Sequence, residues 1–489
     1  MNIYCIDNNF HYELENIVRL FLPDEKIRVY KDLKSPPEAP YIAAKYDRAF
    51  STVYVKADFD CSPLEKSAPL LENESDDKAE LKLSGLLFEL LSNHFNYRPK
   101  WGILTGVRPS KLMSSLINEY GKRKAADYFM EKLYVTKEKT QLALEVAKSQ
   151  RHITKISKPN SISLYISIPF CPSRCSYCSF VSHSVASPSL KKKIPLYVDL
   201  MCEEIRHTGR LIKELDLKLL SVYWGGGTPT ALDAESLEKI FIAIEESCDL
   251  DSVREYTVEA GRPDTVCKEK LSVLKKHGVS RISINPQTFN DEVLTEIGRH
   301  HTSGQTIQAY NLAREMGFNN INADLIAALP KDTPQSFEDS VKKAIEMGFE
   351  NITVHTFAKK RSSDFSANQS EIAHTVKTAE RMVETSQTLL RNAGYKPYYM
   401  YRQSKSAGNF ENVGYSKSDM ECLYNIFMME EIHSVLAVGG KAVTKLKDPH
   451  GAYIERVYNF KYPYEYISRF GETLERKNRI SQFYETYRI

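Results

Sequence analysis

The sequence predicts an α/β protein. Its centre, residues 161–395, reads as an open parallel sheet or partial α/β barrel, with a separate α+β unit before it (1–155) and a mainly helical extension after it (396–489). Three observations lead there. Short β-rich runs recur at 163–168, 221–224, 255–260, 281–285, 321–326 and 351–357. The intervals hold amphipathic helical patterns, as at 234–246, 265–276, 304–316 and 334–347, and parallel neighbours require crossovers of this kind. Finally, a chain of 489 residues, at about one domain per 150, has room for one large barrel and smaller additions.

In chain order, 27–30 and 52–55 read as short strands, and 83–94 as a helix by its apolar spacing. Between them, 62–80 is rich in Pro, Ser and acidic residues, including Glu72-Asn73-Glu74-Ser75-Asp76-Asp77. Blocks of like charge are solvated, which predicts a surface loop. Helical patterns return over 109–149, and Ser157-Lys158-Pro159-Asn160 predicts a linker into the first barrel strand. An apolar content of 42% with 26% charge supports a packed core and excludes a disordered or fibrous chain. Lys and Arg number 66 against 63 Asp and Glu, a net charge of +3. Nucleic-acid and membrane-surface binders need a basic surplus, so the balance argues against both. The start, Met1-Asn2-Ile3-Tyr4-Cys5-Ile6-Asp7, lacks a basic segment followed by an apolar run. No later stretch approaches the ~18 apolar residues of a membrane span. The expectation is a soluble, cytoplasmic protein without stable membrane insertion.

Ligands of such folds bind beyond the carboxyl ends of the strands. Right after the first barrel strand comes Pro169-Phe170-Cys171-Pro172-Ser173-Arg174-Cys175-Ser176-Tyr177-Cys178. The chain has nine cysteines, an odd number that does not suggest a disulfide framework. Cys5, Cys61, Cys202, Cys248, Cys267 and Cys422 are scattered singly, as small buried thiols are. Cys171, Cys175 and Cys178 instead share one loop, at spacings of four and three, and thiolates select zinc or iron–sulfur centres. On spacing alone both stay open. Three thiolates leave one iron of a four-iron centre without a protein ligand; His183, five residues beyond Cys178, would complete a Cys3His zinc site. After the second strand, Trp224-Gly225-Gly226-Gly227-Thr228-Pro229 offers glycines that let a ligand approach the backbone, although a tight turn uses the same residues.

The Cys-x3-Cys-x2-Cys run, with the aromatic Tyr177 before its third cysteine, resembles the signature of the radical S-adenosylmethionine (SAM) superfamily. The glycine run resembles that superfamily's glycine-rich loop. Further runs in the same order narrow the resemblance to the oxygen-independent coproporphyrinogen III oxidases or dehydrogenases. They are Leu164-Tyr165-Ile166-Ser167-Ile168-Pro169-Phe170-Cys171, Thr257-Val258-Glu259-Ala260, Gln287-Thr288-Phe289-Asn290 with Arg299 twelve positions after Gln287, and Asp324-Leu325-Ile326. Leu329-Pro330-Lys331-Asp332-Thr333-Pro334-Gln335-Ser336-Phe337 follows, with a fainter echo at Val438-Gly439-Gly440-Lys441-Ala442-Val443. The resemblance covers about 165–340 and implies a partial (β/α)6 radical SAM barrel. It implies a [4Fe-4S] cluster on Cys171, Cys175 and Cys178. It also implies a SAM site lined by Tyr165, Tyr177, Gly226, Gly227, Thr228, Glu259, Gln287, Arg299, Asp324, Ile326, Ala358 and Val443, with no catalytic residue beyond these. The types suit that ligand: acids accept from ribose hydroxyls and an ammonium, a guanidinium engages a carboxylate, and Ile326 packs on adenine. Taken singly, Glu259, Arg299 and Asp324 read as salt-bridge partners, and Tyr165 and Ile326 as core. The ordered set carries the assignment.

Phe180 and Ser167 stand where the well-known bacterial oxidases of this family carry a cysteine and a histidine. The haem-chaperone relatives carry a His-Asn-x-x-Tyr-Trp run that is absent here. Residues 401–415 and Trp101-Gly102-Ile103-Leu104-Thr105-Gly106-Val107-Arg108-Pro109 instead resemble the HemZ-type branch, usually named coproporphyrinogen dehydrogenase. The resemblance implies oxygen-independent decarboxylation of two propionates of coproporphyrinogen III to the vinyls of protoporphyrinogen IX, in haem biosynthesis. Its partners would be the tetrapyrrole substrate and a flavodoxin or ferredoxin-type reductant. A haem-binding or haem-chaperone protein, another radical SAM tetrapyrrole-modifying enzyme and a zinc-stabilised module are the alternatives. Lys191-Lys192-Lys193 and Lys359-Lys360-Arg361 read as solvated faces, with propionates or an acidic reductant as their other use. Arg262, Arg402, Lys405 and Lys441 stand near the motifs and are candidates for meeting propionates. His300 and His301 adjoin Arg299 and read as capping or surface residues.

Overall fold

The computed structural model describes residues 1–32, 39–60, 62–71, 74–178, 180, 183–358, 369–403 and 406–487, without the side chains of 369–375. Cys61, Lys359-Lys360-Arg361 and Lys405 lie outside the described residues. The chain divides into two compact units, Met1–Ala147 with Arg402–Phe410, and Lys148–Tyr401 with Glu411–Ile489.

Among the described residues of the amino-terminal unit, β1 (Asn2–Ile6), β2 (Arg28–Tyr30), β3 (Tyr41–Asp47), β4 (Thr52–Asp58) and β5 (Leu64–Pro69) form one sheet in the order β2-β1-β3-β4-β5. The helices are α1 (His11–Phe21), α2 (Asp76–His94), α3 (Pro109–Tyr120), α4 (Lys122–Asp127) and α5 (Lys137–Thr154), the unit boundary falling within α5. Ile3, Leu14, Val18, Val53, Val55, Leu83, Leu87 and Leu91 are buried in its core. The acidic run 62–80 is therefore not a loop throughout. Residues Leu64–Pro69 form an edge strand that, among the described residues, pairs with β4 alone, and its solvated side gives no clean alternation. Asp76 and Asp77 occupy the first turn of α2, where carboxylates meet the positive end of the helix dipole.

The second unit is built on β6 (Ser161–Ile168), β7 (Phe170–Cys171), β8 (His183–Ser184), β9 (Lys218–Gly226), β10 (Glu255–Glu259), β11 (Arg281–Ser283), β12 (Ile321–Ala327), β13 (Asn351–Thr356), β14 (Lys396–Arg402), β15 (Glu411–Ser416), β16 (Ser434–Val438), β17 (Val443–Lys447) and β18 (Ile454–Tyr458). Its helices are α6 (Pro188–Lys191), α7 (Ile194–Glu214), α8 (Ala234–Ser247), α9 (Lys268–Lys276), α10 (Asp291–Glu296), α11 (Ser303–Glu315), α12 (Pro334–Met347), α13 (Gln369–Asn392), α14 (Leu423–Glu430), α15 (Pro463–Ser468) and α16 (Phe470–Thr486). The main sheet runs β14-β15-β13-β12-β11-β10-β9-β6-β16-β17-β18. The six predicted strands are β6 and β9 to β13; they lie side by side in chain order, and each neighbouring pair is parallel. The carboxy-terminal region contributes helices α14 to α16 and also strands, of which β16 continues the parallel set beside β6. No helix among the described residues is long and apolar enough to cross a membrane.

The parallel strands alternate instead of being apolar throughout. Ile162, Leu164, Ile166 and Ile168 alternate with Ser163, Tyr165 and Ser167, and Val222 and Trp224 with Ser221 and Tyr223. Trp224 and Tyr256 pack on Phe241 of α8, so the apolar side faces the helices. The opposite face carries Tyr165, Tyr223, Glu259, Asp324 and His355, and it is polar. Sharp helix ends hold the crossovers in place: α11 opens on a capping box in which Gln305 N donates to Thr302 Oγ1 (3.2 Å) and Thr302 N to Gln305 Oε1 (2.9 Å).

Candidate functional site

The cysteine loop leaves β6 through Pro169 and is closed by a small parallel ladder, Phe170 beside His183 and Cys171 beside Ser184. His183 N donates to Pro169 O at 2.9 Å and Val185 N to Cys171 O at 3.0 Å. Inside the loop, Cys178 N donates to Cys175 O (3.2 Å), while Ser176 N and Oγ both donate to Ile297 O (3.1 Å). None of the three thiols is in a disulfide; Cys175 is buried and Cys171 and Cys178 are half-buried. Each has its own neighbour: Thr228 Oγ1 at 3.5 Å from Cys171 Sγ, Arg262 Nη1 at 3.9 Å from Cys175 Sγ, and Phe180 O at 3.8 Å from Cys178 Sγ. Among the described residues no three His, Cys, Asp or Glu side chains are already drawn together as metal ligands. His183, the fourth ligand of the zinc alternative, meets the Tyr462 ring at 6.0 Å and shares a small cavity with Lys193 and Tyr464.

The glycine run fits against this loop for a steric reason. Gly227 N donates to Ile168 O and Thr228 N to Phe170 O, both at 2.7 Å. A Cβ on Gly227 would stand 2.4 Å from Phe170 O and 3.0 Å from Cys171 Sγ. Gly226 has φ +104°, and a Cβ on Gly225 would meet Tyr165 Oη at 3.1 Å and the Glu259 carboxyl carbon at 3.2 Å. Backbone thus lies open beside the thiols where any side chain would block it.

Deeper on the polar face, Tyr223 Oη donates to Glu259 Oε1 at 2.6 Å. Burial, reinforced by Asp324, pushes Glu259 up to about 7. Burial acts the same way on Asp324, but His355, Asn322 and Arg281 more than offset it and hold that carboxyl below its usual range. Asn322 Nδ2 donates to Asp324 Oδ1 at 2.8 Å, and His355 Nε2 lies 3.7 Å from the same oxygen. Gln287 is seated by backbone bonds to β12: its N donates to Asp324 O (2.8 Å) and its O accepts from Ile326 N (2.9 Å). Arg299 is buried, with Nη1 donating to Gly261 O and Asn285 O (both 3.1 Å) and Nε to Tyr177 Oη (3.3 Å). Tyr177 also packs with Ile326 in one apolar cluster.

The residues expected around SAM therefore meet in three linked groups: Tyr165 and Glu259 around the glycines, Gln287 with Asp324 and Ile326, and Tyr177 with Arg299 and Ile326. Ala358 follows β13 and Val443 opens β17; strand position alone places these two. Other expectations change. Arg262 turns toward the cysteine loop. Arg402 belongs to the amino-terminal unit, where its guanidinium lies 5.5 Å from the Trp101 ring centroid and donates to Leu104 O. His301 is buried, not at the surface, and its burial, followed by Arg299, lowers it to about 4. Thr302 does the capping there, and His300 is exposed. Lys441 lies over the Phe180 ring at 4.1 Å, and Ser167 Oγ donates to Gly440 O at 2.8 Å, so both departures from the oxidase pattern are packed into the site's wall. Lys191-Lys192-Lys193 is exposed. His355, Tyr401 and Arg281 were not foreseen. Tyr401 Oη lies 3.3 Å from His355 Nδ1, and Arg281 is 1% exposed with Nε and Nη2 unbonded. The period-two pattern Asn351, Thr353, His355 was the available signal.

Soft thiols on one short loop, cations beside them and a backbone cradle that a Cβ would fill are chemistry suited to an iron–sulfur cluster and a ligand lying against it. Comparison with known proteins agrees. Residues 165–344 match the radical SAM superfamily, whose cofactors are a [4Fe-4S] cluster and SAM. The oxygen-independent coproporphyrinogen-III oxidase-like protein HemZ of Bacillus subtilis is 36% identical over 86% of this chain and 84% of its own length. The heme chaperone HemW of Lactococcus lactis is 36% identical over 41% of this chain and 50% of its own. The structure of coproporphyrinogen III oxidase (HemN) from Escherichia coli shares the fold, with TM-score 0.50 and 22% identity over 66% of this chain and 73% of that one. The order of motifs, the polar sheet face that gathers them and the likeness to HemZ along most of both chains place this protein in the oxygen-independent coproporphyrinogen III oxidase-like family of radical SAM proteins.

Proposed function

We propose that the protein converts coproporphyrinogen III to protoporphyrinogen IX without oxygen, by oxidative decarboxylation of two propionate side chains in haem biosynthesis. The observation that carries this reading is the likeness to the HemZ oxidase-like protein over 84% of that protein's length. Cys171, Cys175 and Cys178 would hold the [4Fe-4S] cluster. Tyr165, Tyr177, Gly226, Gly227, Thr228, Glu259, Gln287, Arg299, Asp324, Ile326, Ala358 and Val443 would line the SAM site. When bound, cluster and SAM together supply abstraction of a hydrogen atom, here from a propionate β-carbon.

The chain's own part is to bind and orient. Arg299, fixed by two carbonyls and Tyr177, presents a guanidinium whose direction is set before a carboxylate arrives. Glu259 accepts from Tyr223 and keeps a second oxygen for a hydroxyl or ammonium. Gly225 to Gly227 keep the backbone open beside the thiols, and Phe170, Ile168 and Trp224, all buried, keep water from reaching it from below. We further take 1–155 as an accessory domain, 161–395 as the barrel and 396–489 as the substrate-side extension. The reductant is of flavodoxin or ferredoxin type, and the setting is the cytoplasm.

A haem-binding role is the second reading, favoured by the 36% identity to the HemW heme chaperone. One anaerobic experiment separates the two. Cluster-reconstituted protein is given SAM, reductant and coproporphyrinogen III, with Cys175→Ala alongside. The oxidase reading expects vinyl-bearing product with loss of CO2, abolished in Cys175→Ala. Stoichiometric haem binding with 5′-deoxyadenosine but no vinyl product would overturn it in favour of the second.

A further inference from the structure

Arg262 is a buried guanidinium that the expected SAM site does not use. It follows β10 in the run Glu259-Ala260-Gly261-Arg262 and is 3% exposed. Two of its N–H groups grip Asp264 as a fork, Nε to Oδ1 at 3.0 Å and Nη2 to Oδ2 at 3.1 Å. The remaining nitrogen, Nη1, reaches into the cysteine loop. It lies 3.1 Å from Ser173 Oγ, 3.5 Å from Ser173 O and 3.9 Å from Cys175 Sγ. Cys175 is itself 8% exposed.

Three physical facts combine here. A guanidinium keeps its proton under all ordinary conditions. Buried charges are screened little by solvent. A positive charge or hydrogen-bond donor at a ligand sulfur favours the more negative, reduced form of an iron–sulfur centre. Asp264 both fixes the guanidinium in place and subtracts from its field, so the pair acts as an adjustable charge at one ligand. Arg299, a second buried guanidinium beside this loop, spends its Nη1 on Gly261 O and Asn285 O, and Arg174, in the loop itself, is exposed to solvent.

We propose that Arg262, held by Asp264, is a positioning residue that sets the reduction potential of the cluster bound by Cys171, Cys175 and Cys178, raising it, with Asp264 as its counterweight. The proposal rests on the [4Fe-4S] reading of the cysteine loop. It needs no group beyond an external one-electron reductant, which the test supplies as dithionite.

The test is a mediated redox titration of the anaerobically loaded, full-length protein, with the reduced fraction read by electron paramagnetic resonance and iron and sulfide counted first. Arg262→Gln lowers the midpoint, so that the reduced-to-oxidised ratio at the wild-type midpoint falls roughly tenfold, equal to ~59 mV for a one-electron couple. Asp264→Asn raises the midpoint, and Arg262→Lys, which keeps the charge, stays close to wild type. A purely structural role would not produce opposite shifts from the two charge changes. Equal midpoints, or shifts of the same sign in Arg262→Gln and Asp264→Asn, overturn the proposal. Should Arg262→Gln not retain iron, Asp264→Asn decides alone, and a midpoint that is not raised overturns it. Wild-type protein that takes up no iron and sulfide overturns the cluster reading, an outcome distinct from a cluster whose potential ignores Arg262.

Discussion

Glu259 is held against its solvent preference. Burial outweighs the hydrogen bond from Tyr223 and the attraction of Arg281, and its carboxyl is pushed from 4.5 up to about 7. Between those values the folded chain binds the proton that the unfolded chain has released, so stability falls as pH rises across the window and stays lower above it. Asp324 shifts the other way from 3.8; its contribution is lost only as pH falls below that value, outside the window. Glu259→Gln in the SAM-free protein is therefore expected to gain stability relative to wild type between pH 5 and pH 8, on the order of 1–3 kcal/mol. Urea midpoints at the two pH values check this; a difference that does not grow with pH would refute it. Glu259, Arg299 and Asp324 could be singled out from the sequence because each stands in a run of neighbours that resembles a family motif. Arg262 stands in such a run too, yet nearness along the chain did not reveal its target, since the end of β10 turns it back to a loop 87 residues earlier.

Helix α7 illustrates how one side chain ties several elements together. Glu204, fully buried, accepts from Gly439 N (2.8 Å), Asn459 Nδ2 (2.7 Å) and Tyr466 Oη (2.6 Å), and pairs with Lys477 Nζ of α16 at 3.0 Å. It thereby fixes the turn after β16, where Gly439 has φ +94° and a Cβ would stand 2.3 Å from Ser167 O. Removing one member of a buried pair leaves the other charge stranded, so Glu204→Ala should cost about 3–5 kcal/mol. Glu204→Gln with Lys477→Met should recover much of it, because neither charge then remains. Urea unfolding measures both, and equal loss in the two proteins would contradict the argument. The barrel strands and their crossover helices were legible from periodicity because one face meets helices and the other is polar. Strand β16 was not: Ser434-Val435-Leu436-Ala437-Val438 is a short apolar run that a buried helix also permits, and its partner β6 lies far back along the chain.

The two compact units each hold one of the chain's two tryptophans, Trp101 (2% exposed) in the first and Trp224 (fully buried, stacked on Phe241) in the second. Separate cores predict separate transitions. Trp101→Phe leaves an indole that reports the second unit and Trp224→Phe one that reports the first, and their fluorescence midpoints in urea are expected to differ. Adding Glu204→Ala should lower the midpoint read at Trp224 more than the one read at Trp101; superimposable curves in all backgrounds would mean a single cooperative unit. Local periodicity along the chain suffices for the parallel βα core, and the class of cofactor follows from the resemblance of the ordered motifs to a family, since the thiol spacing by itself leaves zinc and iron–sulfur open. The packing of Arg402 on Trp101, the place of β16 beside β6, the turn of Arg262 toward Cys175 and the arrival of His355 next to Asp324 follow only from tertiary structure. Each joins residues far apart in sequence through sheet pairing and burial, and no short window of sequence contains both partners of such a contact.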